Sequence, residues 1–174
     1  GEVQKEGLLC HAQHCLVKLP EQVIREEVKA ASPEIYEKTF LNSVNISAWE
    51  LMMPRREPRI RKQLNEIMRT EAPISRSLLS SRIFNAYGIL RKTARLIEWM
   101  DGILDKTPYY KQEIDGLVFY WNTKEEADSY TGFRIDSKRE AVDLPPREVA
   151  NAARNILEQQ VALLKAIPVS AKFG

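Results

Sequence analysis

Asp115-Gly116 lies between the runs Tyr109-Tyr-Lys-Gln-Glu-Ile114 and Leu117-Val-Phe-Tyr-Trp121. Asp-Gly tolerates the positive φ angles of the tight turns whose twist matches paired strands, so this spacing commits the chain to a β-hairpin. What precedes the hairpin narrows the fold further. From Ser75 to Tyr87 the apolar residues Leu79, Ile83, Ala86 and Tyr87 recur at helical spacing, with Ser75 able to cap the first turn. Gly88 follows, and glycine takes the left-handed conformation just past a helix end without steric cost. A second helix is expected from about Lys92 or Thr93. It would bury Leu96, Ile97, Met100, Ile103 and Leu104 and leave Lys92, Arg95, Glu98, Trp99 and Asp101 nearer the other side. Upstream, Pro58 suits a first helical position, and Ile60, Leu64, Ile67 and Met68 mark an amphipathic helix to about Thr70. Ala72-Pro73-Ile74 then reads as a short extended link. The order helix, strand, helix, helix, hairpin predicts an α+β, mainly helical fold. Its expected form is a winged helix-turn-helix with a β-hairpin wing, plus an extended N-terminal arm and a C-terminal helix.

This reading divides the chain into an arm or linker at residues 1–57, a winged-helix-like domain at 58–136 and a C-terminal helical segment at 137–174. The arm holds the only cysteines and histidines, as Cys10-His11-Ala12-Gln13-His14-Cys15. Structural zinc sites take ligand pairs from separated segments, because a single hexapeptide cannot close around a tetrahedral ion, so no metal is expected there. Two cysteines without an export signal read as free thiols. Residues 21–31 could form a short helix through Val23, Ile24 and Val28. Residues 32–58, with Pro33, Pro54, Pro58, Tyr36, Phe40 and Trp49, read as a connecting segment laid over another surface. Beyond the hairpin, residues 122–129 are acidic and loop-like, and residues 130–135 form a candidate extended piece. Asp143-Leu144-Pro145-Pro146 opens another helix with Val149, Ala153, Ile156 and Leu157 on one face. That helix loosely repeats Ile60, Leu64, Ile67 and Met68 some 89 residues downstream, as if a second, truncated unit were beginning.

Net charge is only +2, yet its distribution is uneven. Residues 55–95 hold eleven Lys or Arg against Glu57, Glu66 and Glu71, a net of +8, which leaves −6 for the rest. A basic block coinciding with the helix-turn-helix is the footprint of a phosphate-binding surface, although a solvated helix face would look the same from charge alone. No apolar run is long enough to cross a membrane, and the start lacks the basic-then-apolar order of a signal peptide, so a cytoplasmic protein is expected. The absence of an initial Met and the apolar, helix-like end suggest a piece of a larger protein.

Catalytic signatures are missing. Seven glycines form neither a phosphate loop nor a dinucleotide fingerprint, so no nucleotide cofactor is expected in this stretch. Neither histidine has an Asp or Glu nearby in sequence, and Glu125-Glu126-Ala127-Asp128, the densest carboxylate cluster, sits in turn-like sequence rather than on a strand.

Several short motifs appear in a fixed order: Glu71-Ala-Pro-Ile-Ser75, Tyr87-Gly-Ile89, Arg91, Arg95, Phe119-Tyr-Trp121, Tyr130, Phe133-Arg134, residues 143–152 and Leu157-Glu-Gln-Gln160. Over residues 58–165 this series resembles an uncharacterised domain near the C-terminus of large bacterial proteins related to superfamily I DNA helicases. The resemblance implies a parent with an ATPase core and often a nuclease-like region, whose domains would be partners of this one. It departs from that family at Thr93-Ala94, where a Gly or Ser is common, and along residues 161–168. No residue role comes with the resemblance.

Together these readings predict a non-catalytic nucleic-acid-binding accessory module, with DNA as the partner. Arg91, Lys92 and Arg95 would meet phosphates or base edges from the second helix of the motif, Arg76 and Arg82 would add phosphate contacts, and Lys111 would touch the backbone from the hairpin. The alternative is a protein docking or dimerisation module, to which Trp99 would contribute if it were exposed rather than core.

Overall fold

The computed structural model describes residues 33–135 and 138–166. The Cys10 to Cys15 hexapeptide and the helix expected at residues 21–31 lie outside the described residues. The fold is α+β and mainly helical. Its centre is three helices, α2 (Glu57–Glu71), α3 (Arg76–Ala86) and α4 (Ala94–Leu104), with a three-stranded antiparallel sheet. In that sheet β4 (Leu117–Trp121) lies between β2 (Ile74–Ser75) and β3 (Tyr110–Ile114).

Local chemistry sets the ends of these elements. Ser75 accepts from the Leu78 amide at 3.0 Å and Thr93 from the Leu96 amide at 3.3 Å, each capping a helix as an N-terminal hydroxyl does. Between α3 and α4, Gly88 has φ +70°, and a Cβ there would collide with the Asn45 side chain. Asp115 and Gly116 both take positive φ, 52° and 76°, as the hairpin turn requires, and the strands pair in register from Ile114↔Leu117 to Tyr110↔Trp121.

One core joins these parts. Leu96, Met100 and Ile103 of α4 share a buried cluster with Ile83 of α3, Leu64 of α2 and Tyr120 of β4, as the helical spacing predicts. Ile97 departs from that expectation: it is 38% exposed, because it falls at the edge of the apolar stripe. Trp99, which the sequence leaves open between surface and core, packs half-buried against the core. On β4, successive side chains point to opposite faces. Phe119 and Trp121 thus leave the helical core, and both are nonetheless buried. Trp121 meets the Tyr130 ring edge-on at a centroid distance of 5.3 Å and donates Nε1–H to Gln112 Oε1 at 3.0 Å. A strand covered on both sides explains why β4 reads as a continuous apolar run.

Residues 122–129, expected to be loop, contain the short helix α5 (Lys124–Ser129), capped by Thr123 accepting from the Glu126 amide. Its charged composition hid it, since its one buried side chain is Ala127. The extended piece exists as β5 (Phe133–Ile135), and it pairs in parallel with β1 (Pro33–Ile35), a partner 100 residues away that no sequence period reveals. The connecting segment is laid over the helices, as expected: Val44 donates to the Ala86 carbonyl at 2.7 Å and Ile46 to that of Tyr87 at 3.2 Å. It also forms the single turn α1 (Ala48–Leu51). α6 (Pro146–Ala166) begins at its prolines as predicted, but beyond Asn151 it has no buried residue.

Candidate nucleic-acid interface

Ion pairing divides the six basic residues singled out in the sequence. Arg82 points inward. Its guanidinium is 2.8 Å from Glu71 Oε1, and the two side chains are only 11% and 0% exposed. The same guanidinium donates to the Thr39 carbonyl, while Glu71 also accepts from Tyr36 Oη at 2.5 Å and from the Thr39 amide at 3.0 Å. Burial, followed by the Glu71 hydrogen bond and charge, raises the Tyr36 pKa well above the ordinary tyrosine value. Arg82 and Glu71 therefore clasp the connecting segment to α3 and α2. Arg76 lies 3.4 Å from Asp101 of α4, and Lys111 on the hairpin 3.7 Å from Asp105.

Arg91, Lys92 and Arg95 form the other group. All three are exposed, and they occupy the turn and first residues of α4. Lys92 Nζ donates to Ser81 Oγ at 2.5 Å, and the Arg95 guanidinium lies over the Trp49 ring, 5.9 Å from its centroid. Arg91 has no ion-pair partner among the described residues. Trp49, on α1, is 63% exposed, and Leu90 beside Arg91 is 87% exposed. Trp49 lies in the connecting segment, and its neighbour in space, Arg95, is 46 residues away and carries no local signal in the sequence. Farther along, the same side turns acidic, with exposed Glu98, half-buried Asp101 and, just past the end of α4, exposed Asp105. The face thus carries three cations and an exposed indole at one end and carboxylates at the other.

Among the described residues no group of three or more His, Cys, Asp or Glu is arranged to hold a metal ion, and no helix is long and apolar enough to cross a membrane.

Residues 50–98 match the model of an uncharacterised domain family, described as Protein of unknown function (DUF3320). The matched stretch runs from the end of α1 into the first turn of α4. It therefore includes Arg76, Arg82, Arg91, Lys92 and Arg95 but not the hairpin with Lys111. No curated protein and no solved structure matches the chain.

Proposed function

We propose that residues 57–121 work as a winged helix-turn-helix that binds DNA, a non-catalytic module accessory to a cytoplasmic helicase-like parent with its ATPase and nuclease-like domains. The observation that carries this reading is the cluster of Arg91, Lys92 and Arg95, exposed together where α4 begins. In a winged helix that is the end of the recognition helix which approaches the groove. The order α2, β2, α3, α4, β3, β4 supports it as well. Arg76, Arg82 and Lys111 already have carboxylate partners, so the contact contracts from six cations to about three.

The test is binding of a labelled duplex across a salt series. Three phosphate contacts at roughly 0.9 each give a slope of log K against log salt of about −3. Reversing Arg91, Lys92 and Arg95 together to Glu should abolish that slope and leave the fold intact. A wild-type slope near zero, or a triple reversal that binds as well as wild type, removes the reading.

A protein docking module is the second reading, and one feature favours it. Exposed Glu98, on the fifth residue of α4, would repel phosphates beside the three cations, whereas exposed Leu90 and Trp49 suit a protein surface.

A further inference from the structure

We propose that the connecting segment carries a second nucleic-acid site, a path for a single strand on which Phe40 stacks an unpaired base. Phe40 is 85% exposed, the most open aromatic among the described residues. Its exposure is built in. Thr39 is held through its amide by Glu71 and through its carbonyl by Arg82, and Leu41 packs against the core, so the backbone is anchored inward on both sides of Phe40, whose side chain is left outward. With its backbone anchored on both sides, Phe40 has only its side-chain torsions to order on stacking.

Two clefts meet at this ring, of about 310 Å³ and 370 Å³, each lined by Phe40 and Leu41. The first adds Lys38, Ser43 and Asn85, which belong to the segment and to α3. The second adds Arg59 and Lys62 from α2, with Glu66 as its one acid. Lys38, Arg59 and Lys62 are exposed and have no ion pair among the described residues. Thr39 also lines the first cleft, with its hydroxyl buried beneath the surface and without a hydrogen-bond partner among the described residues. Cations on both sides of an exposed ring, with amide and hydroxyl groups between, match a chain of phosphates spaced by bases. Duplex DNA keeps its base faces stacked inside, so only an unpaired strand can use the ring. None of Arg91, Lys92 and Arg95 lines either cleft, and this site therefore stands apart from the duplex reading.

The experiment uses the whole chain and a fluorescein-labelled oligothymidylate of about fifteen nucleotides, a length that spans a typical single-strand site. Anisotropy at low salt should report binding. Phe40→Ala should weaken it about 5-fold or more, the loss expected for one stacked base, and Phe40→Leu should weaken it equally, while Phe40→Trp retains it. Arg59→Glu with Lys62→Glu should flatten the salt slope by about 1.4, from roughly 0.7 per contact on a single strand. Duplex binding should be unchanged by Phe40→Ala. The proposal is overturned if the oligonucleotide does not bind, if Phe40→Ala binds like wild type, or if Phe40→Leu does. The last result would mean apolar contact of the kind a peptide makes. Equal losses on duplex and single strand would also overturn it. A triple reversal at Arg91, Lys92 and Arg95 without effect on duplex binding would sink the duplex reading alone.

Discussion

Arg82 and Arg91 are nine residues apart in one basic block, and their surroundings give them opposite work. Arg82 neutralises a carboxylate that has no exposure of its own, whereas Arg91 stands in water. Removing one partner of a buried pair strands the other charge, which typically costs about 3–5 kcal/mol, while exposed side chains usually change stability by within about 0.5 kcal/mol. Arg82→Ala should thus lower the urea midpoint sharply, and Arg91→Ala should hardly move it. Equal midpoints for the two variants would mean that Glu71 finds water when Arg82 is gone, and that the clasp on residues 36–39 is dispensable. Charge counting along the sequence could not make this distinction, because Glu71 and Arg82 meet only once α2 and α3 have packed. Phe40 was missed for a related reason. An aromatic in a proline-bracketed segment gives no periodic signal, and its outward direction follows from hydrogen bonds at Thr39 that involve two other elements.

The elements that could be read from sequence are those whose ends are written in their own residues. Ser75, Gly88, Thr93 and Asp115-Gly116 act through backbone geometry within a few positions, and each sits where that chemistry predicts. β1 and α5 escaped, the first because its pairing is with β5 far along the chain, the second because it buries one small residue. The turn between α3 and α4 offers a direct check, since it positions the Arg91, Lys92 and Arg95 cluster. Thr93→Ala removes a cap and should cost about 1 kcal/mol. Gly88→Ala should cost more than about 1 kcal/mol, from the left-handed φ together with the collision against Asn45. In the double variant Gly88→Ala with Asn45→Ala, the collision with the amide goes and only the backbone strain stays. The double variant should therefore be more stable than the sum of the two single costs predicts, by denaturant titration. Strict additivity would show that Asn45 simply swings away.

At the scale of the whole molecule, the helical core and the C-terminal elements are fastened at a few buried polar points. Arg134 of β5 reaches across to the carbonyls of Glu71, Ala72 and Pro73, which end α2 and lead into β2. Glu148 on α6 binds Arg134 at 2.8 Å and Arg139 at 2.5 Å, with all three side chains no more than 5% exposed. Ser75 donates to Asp143 across the same seam, and Asn151 donates to the carbonyls of Tyr130 and Gly132. Burial by itself would push the Glu148 carboxyl up, but hydrogen bonds from Arg139 and Arg134 outweigh it and hold the pKa below the ordinary 4.5. The sign of the pH effect follows. A carboxyl whose folded pKa is depressed takes up its proton first in the unfolded chain. Its contribution is therefore complete above the ordinary glutamate range and is lost as pH falls through the folded value. Thermal unfolding should show wild-type stability declining from about pH 5 downward. Glu148→Gln should be less stable at neutral pH by about 3–5 kcal/mol, because the buried guanidinium groups of Arg134 and Arg139 lose the charge of the carboxylate they share. It should also decline less steeply in acid, since one linked proton is gone. A variant as stable as wild type, with an unchanged acid limb, would mean that the seam between β5, α6 and the end of α2 is held by Ser75, Asp143 and Asn151 instead of by this carboxylate.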